Sequence, residues 1–147
     1  MTQPRPNFGG FEHEDALSIL ARADARRLKA FAEPLIPGFN GIVVEENRTG
    51  LVMLPMRDTA QGTHFHLGEV LMSEARISDA GAQGYGMRQG RDLEAAMAMA
   101  IVDLAMASGH SEAEISTFLS HEKTVQSQSD DETLRRVQAT RVNMETF

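Results

Sequence analysis

The segment whose residue types come nearest to ligand chemistry is Gly84-Tyr85-Gly86-Met87-Arg88-Gln89-Gly90-Arg91-Asp92. Its glycines suggest a phosphate loop, but dinucleotide binding needs G-x-G-x-x-G between a parallel strand and a helix, and here the third glycine comes one residue late. No Gly-Lys-Ser/Thr follows, which excludes a P-loop. What remains is a strand, a Gly90-Arg91-Asp92 corner and a helix. A helix N-terminus with free N–H groups beside a guanidinium can hold an anion, so Arg88, Arg91 and Asp92 are candidate ligand-binding residues. The alternative is a tight strand-to-helix turn in which Asp92 caps the helix and an arginine pairs with a carboxylate.

Glu69 is the other candidate for binding. Strand alternation puts it on the apolar face with Leu67 and Leu71 unless Gly68 shifts the register. A buried carboxylate there needs backbone donors or an arginine, from among Arg76, Arg88 and Arg91. Glu69 and Glu74 do not define an acid-base pair until their separation is known. His64-Phe65-His66 sets two imidazoles on one face of a strand, which serves zinc when a third ligand arrives. His13-Glu14 can swing in from the amino end, yet no third ligand is specified, and a solvent-facing pair is the simpler reading. His110 and His121 fall where capping or solvation suffices. There is no Gly-x-Ser-x-Gly elbow and no cysteine. No catalytic residue, metal or cofactor is therefore expected in this chain.

Several elements must position these residues. Apolar spacing from Asp15 to Ala32 predicts one amphipathic helix, capped by Asp15 and stopped at Glu33-Pro34. Ile42–Glu46 and Leu51–Arg57 flank Asn47-Arg48-Thr49-Gly50, which reads as a hairpin turn, with Pro55 on an edge strand. After a loop at Asp58–Gly62, the alternation from Phe65 to Ile77 predicts a long half-buried strand with a bulge near Gly68. Asp79-Ala80-Gly81 turns it into a strand over Gln83–Gln89. The expected fold class is α+β: an antiparallel meander of about four strands packed with helices.

The segment from Asp92 to Ser108 is the strongest helix, capped by Asp92 and stopped by Gly109. Its apolar surface is wide, with Glu94 and Asp103 left to face water. Such a helix is either central to the core or covered by a partner, which makes Met97, Met99, Val102 and Met106 candidate partner-interface residues. Ser111 with Glu114, and Ser129 with Glu132, have capping-box spacing. They predict two helices separated by a polar linker at Gln126–Asp131. The expected organisation is one domain over residues 1–147, with a loose arm at 1–10 and an extended C-terminal helical arm at 126–147.

The chain has 147 residues, 41% hydrophobic and 24% charged, as one ordinary globular domain has. Acidic residues outnumber basic ones 21 to 14, for a net charge of -7. Coating a phosphate backbone calls for a basic stripe, so nucleic acid is not an expected partner. The first ten residues hold Pro4, Pro6, Gly9 and Gly10 without an apolar run, which fits neither a signal peptide nor a membrane span. The lack of cysteine suits a reducing cytoplasm and many exported proteins alike.

Five segments together carry a family resemblance. They are Thr49-Gly50-Leu51-Val52, the run Phe65-His66-Leu67-Gly68-Glu69-Val70-Leu71-Met72-Ser73-Glu74-Ala75-Arg76-Ile77, Gly84-Tyr85-Gly86, Gly90-Arg91-Asp92 with the Ala-rich helix through Val102-Asp103-Leu104, and the closing Ala139-Thr140-Arg141-Val142. In order and spacing the chain resembles PhnG, the G subunit of the bacterial phosphonate carbon-phosphorus lyase system. It departs where the family continues with an acidic residue and aromatics and this chain has Asn143, Met144 and Glu145. It departs also at His66, where a small polar residue is more usual.

The resemblance implies a cytoplasmic subunit of a multi-subunit transferase, not active alone, with the I, H and J subunits as partners and the L protein as a transient one. The G, H and I subunits with L are associated with displacement of adenine from ATP by an alkylphosphonate, giving ribose 1-alkylphosphonate 5-triphosphate. Catalysis at the glycosidic carbon is linked to the I subunit. Arg141 and Val142 in the closing signature join the candidate interface residues. Three readings stay open: an assembly subunit, a subunit that lends Arg88, Arg91 and Asp92 to a shared anion site, and an independent metalloenzyme using His64 and His66.

Overall fold

The computed structural model describes residues 7–142. In chain order these form α1 (His13–Arg22), α2 (Ala25–Ala32), a 3-10 segment (Glu33–Gly38), β1 (Val43–Arg57), β2 (His64–Asp79), β3 (Ala82–Gln89), α3 (Leu93–Ser108) and α4 (Glu112–Ala139). Among the described residues the architecture is α+β, with four α-helices and an antiparallel sheet in the order β1-β2-β3.

The sheet has three strands, not the expected four, because Asn47–Gly50 does not turn. These residues pair with Ala75–Met72 in the middle of a 15-residue strand. Arg76 donates to Glu46 at 2.7 Å and Arg48 to Glu74 at 3.2 Å. These cross-strand pairs and the ladder outweigh a local turn preference. Pro55 does lie on the edge strand. The pairing jumps from Leu54 with Gly68 to Pro55 with His66, leaving Leu67 as the extra residue of a bulge beside Gly68. The loop of Ala80 and Gly81 has positive φ at both positions, 47° and 85°, as a two-residue hairpin demands.

Helix α3 is the centre of the core. Residues on nearly every side of it are buried, from Ala95 to Met106, because β2 and β3 cover one side while α1, α2 and α4 cover others. Its approach to β3 is set by Gly84 and Gly86. A Cβ at either would overlap the Ala100 or the Ala96 carbonyl oxygen, so the glycines here serve helix-strand packing. Asp92 caps the helix by accepting from Ala95 N–H at 3.0 Å, and Gly109 ends it at φ 71°.

Three further expectations are corrected. The helix predicted over Asp15–Ala32 is two helices that break at Ala23-Asp24. Asp24, not Asp15, supplies the side-chain cap, accepting from Arg27 N–H at 2.9 Å. The linker predicted at Gln126–Asp131 is helical, and α4 runs unbroken for 28 residues. Gln126 donates to the Ile19 carbonyl at 2.9 Å, and Asp130 accepts from Arg22 at 2.6 Å. Those contacts with α1 hold a polar segment in helix that local composition would release. Ser111 takes a left-handed conformation and makes no side-chain cap. At the amino end, Phe8 is buried and Gly9 accepts from Ser116 Oγ at 3.1 Å. Residues 1–6 of the expected arm and the departing positions Asn143, Met144 and Glu145 lie outside the described residues.

Candidate functional site

The sequence-derived anion site falls at the β3-α3 corner. Gly90, at φ 102°, makes the turn. Its N–H donates to the Leu71 carbonyl at 2.8 Å, and its own carbonyl accepts from Ser73 Oγ at 2.7 Å. Asp92 combines its capping role with an ion pair to Lys29 Nζ at 2.8 Å. That lysine and the Ala95 N–H hold its carboxyl below the ordinary aspartate range. Arg91 is exposed at the start of α3.

Arg88 points elsewhere. Strand alternation places it on the face of Gly84 and Gly86, and its guanidinium donates to the carbonyls of Leu20 and, at 2.5 Å, Ala23. It closes the C-terminal end of α1, where carbonyls lack intrahelical partners. Burial pushes its pKa down, while the charges of Asp92, Asp24 and Glu122 oppose that shift. Glu69 is exposed, opposite Met53. The arginine that its burial would have required is therefore not needed. Four residues along β2 from Ser73, the partner of Arg88, it sits about 14 Å away along the strand. The four candidate ligand residues thus do not converge.

A buried polar cluster lies where sequence reasoning expected water. Asp103, on α3, is fully buried. Its Oδ2 accepts from Tyr85 N–H at 2.8 Å, and its Oδ1 lies 2.7 Å from His13 Nε2. One carboxylate therefore ties α1, α3 and β3 together. A carboxylate that orients an imidazole is an arrangement used in acid-base chemistry, and here His13 borders a shallow surface hollow with Glu14, Ser18 and Tyr85. The available signal was a lone Asp in the middle of an otherwise apolar, Ala-rich and Met-rich helix. A second buried carboxylate, Glu122 on α4, accepts from Arg27 at 2.6 Å and 3.2 Å. Arg27 holds it below the ordinary glutamate range.

The candidate interface residues divide. Met99, Val102 and Met106 are buried in this chain's own core, and Met97 is half-buried beside Leu93 and Ile101. Arg141 and Val142, beyond the end of α4, are exposed. Among the described residues, a large uncovered apolar surface lies instead on the outer parts of β1 and β2, where Leu51, Met53 and Leu67 are 63%, 56% and 60% exposed. His64 and His66 stand on the same exposed stretch. Among the described residues no three His, Cys, Asp or Glu side chains gather to hold a metal, and no helix is long and apolar enough to cross a membrane.

Comparison with known proteins places these features. No curated protein matches the chain. A family model described as "Phosphonate metabolism protein PhnG" matches residues 12–147. The match begins one residue before α1 and takes in the whole sheet, the Asp103 cluster and both later helices.

Proposed function

The chain belongs to the PhnG family of phosphonate metabolism proteins, and from that premise we propose that it is an assembly subunit of a carbon-phosphorus lyase core complex. Its place there is beside the I subunit, with the H and J subunits in the same complex and the L protein engaged transiently. The reaction assisted joins an alkylphosphonate oxygen to C1 of the ATP ribose. The glycosidic carbon-nitrogen bond breaks and adenine leaves with its electron pair and a proton, giving ribose 1-alkylphosphonate 5-triphosphate. This chain brings no cofactor of its own to that step, which takes place in the cytoplasm.

The observation that carries this reading is the inward commitment of Arg88. One of the two candidate guanidiniums, Arg88, is engaged by two carbonyls of α1, and Asp92 is held by its cap and by Lys29. The test is size-exclusion chromatography with light scattering on the chain alone and co-expressed with the I subunit of its operon. A stable hetero-oligomer is expected. A chain that ignores the I subunit would overturn the proposal.

A second reading, direct binding of triphosphate or phosphonate oxygens, is favoured by one observation: Arg91 is exposed at the N-terminal end of a 16-residue helix. Arg91→Ala in the assembled complex separates the two. Weaker substrate binding with intact assembly supports the anion site, and unchanged turnover with intact assembly removes it.

A further inference from the structure

On the reading that this chain works in a hetero-oligomer, we propose that the outer ribbon of β1 and β2, residues 50–69, is an insertion arm. A larger protein encloses it in an apolar cleft that covers both of its faces.

The sheet narrows along its length. β3 pairs with β2 only from Asp79 to Met72, so beyond Met72 two strands continue without a third. Alternation sends Leu51 and Met53 to one face and Val52 and Leu54 to the other. Side chains on both faces are exposed, at 63% and 56% on the first and 43% and 42% on the second. Phe65 and Leu67 add to the apolar surface. A two-stranded ribbon is marginal by itself in water, and exposed apolar surface of this kind marks an interaction site.

The dimensions choose the occupant. At 3.4 Å per residue, residues 50–57 make a ribbon about 27 Å long and roughly 10 Å wide, a footprint near 270 Å² on each face. A stable interface buries about 800 Å² per partner. A second copy laid face to face across a two-fold axis covers one face and leaves the other in water. A cleft that closes on both faces doubles the footprint to about 540 Å², nearer to that area, and its wall can add hydrogen bonds along the outer edge of β1, unpaired among the described residues, as far as Pro55. Charge points the same way. Within residues 50–69 only Arg57, Asp58 and Glu69 carry formal charge at neutral pH, and depletion of charged residues is the mark of an interface centre.

Hydrogen exchange on the full chain, free and in the complex with the I subunit, tests the proposal together with Val52→Lys and Met53→Lys, one substitution on each face. Both positions are exposed, so the free variants are expected to keep the wild-type circular dichroism. Ribbon amides are expected to exchange fast in the free chain and at least roughly tenfold slower in the complex. Each variant is expected to weaken association by roughly tenfold or more. A complex that forms with unchanged ribbon exchange, or that only one of the two substitutions weakens, overturns the arm and leaves the assembly reading standing. Failure of the wild type to form any complex overturns the assembly reading and the arm with it. Ribbon protection in a concentration-dependent homodimer, or on phosphatidylcholine vesicles, also overturns the enclosing protein partner.

Discussion

Arg88, near the end of β3, donates to the carbonyl of Leu20, 68 residues earlier in the chain. The contact explains why the amphipathic stretch from Asp15 to Ala32 is two helices. A cation at a helix C-terminus satisfies its last carbonyls and its dipole. With Ala23 also bound, α1 ends there and Asp24 starts α2.

Arg88→Ala is expected to destabilise the chain by about 1.5–3 kcal/mol, the range for a hydrogen bond to a charged group. Arg88→Lys should recover only part of this, because one ammonium cannot reproduce the planar fork. Urea denaturation of the three proteins checks the order. Equal stability of wild type and Arg88→Ala would refute the closing role.

The Asp103 cluster makes a graded forecast. Asp103→Ala leaves the Tyr85 N–H without its acceptor in the interior and is expected to cost about 1–3 kcal/mol. Asp103→Asn keeps one oxygen for that N–H and should cost less. His13→Ala removes the contact of α1 with Asp103 Oδ1 and leaves the Oδ2 that accepts from Tyr85, so Tyr85 amide protection should survive it and should drop in Asp103→Ala.

Gly86→Ala is expected to be severely destabilising, because the new Cβ meets the backbone carbonyl of Ala96, which has no flexible end to move aside. Overpacking costs typically 1–3 kcal/mol and sometimes more. Gly50→Ala is the control, since nothing lies within 4 Å of its added Cβ. A thermal midpoint for Gly86→Ala as high as that of Gly50→Ala would contradict the close strand-helix approach.

The Arg27-Glu122 pair sets an acid limit. The folded pKa of Glu122 lies below its unfolded value, so the unfolded chain takes up the proton first as pH falls. The stability from this pair is complete above the unfolded glutamate pKa of about 4.3 and is lost as pH drops through the lower folded value. Between pH 7 and pH 3 wild type is expected to lose more stability than Glu122→Gln. Identical pH slopes would show that the pair is not coupled to folding.

Short-range signals were readable in advance. Asp92 and Gly109 mark the ends of α3 because capping acts within one turn. Ala80 and Gly81 mark a hairpin because its geometry is local. The same signals misled where distant residues supply the stronger interaction. Asn47–Gly50 looks like a turn until Glu74 and Arg76 stand opposite, and Gln126–Asp131 looks like a linker until Ile19 and Arg22 hold it. The candidate site fared similarly: Asp92 was read correctly as a cap, whereas the inward turn of Arg88 depends on where α1 ends.

By itself the sequence determined the α+β class, the family, and the cap and stop of the central helix; that Gly84 and Gly86 serve its packing emerged only from the structure. The tertiary structure alone decided which apolar surface stays uncovered and which charges are buried. Met99, Val102 and Met106 are as apolar as Leu51, Met53 and Leu67, and Asp103 and Glu94 both bear a side-chain carboxyl group. Periodicity states which side chains share a face, but burial depends on which elements from elsewhere in the chain come to lie against it.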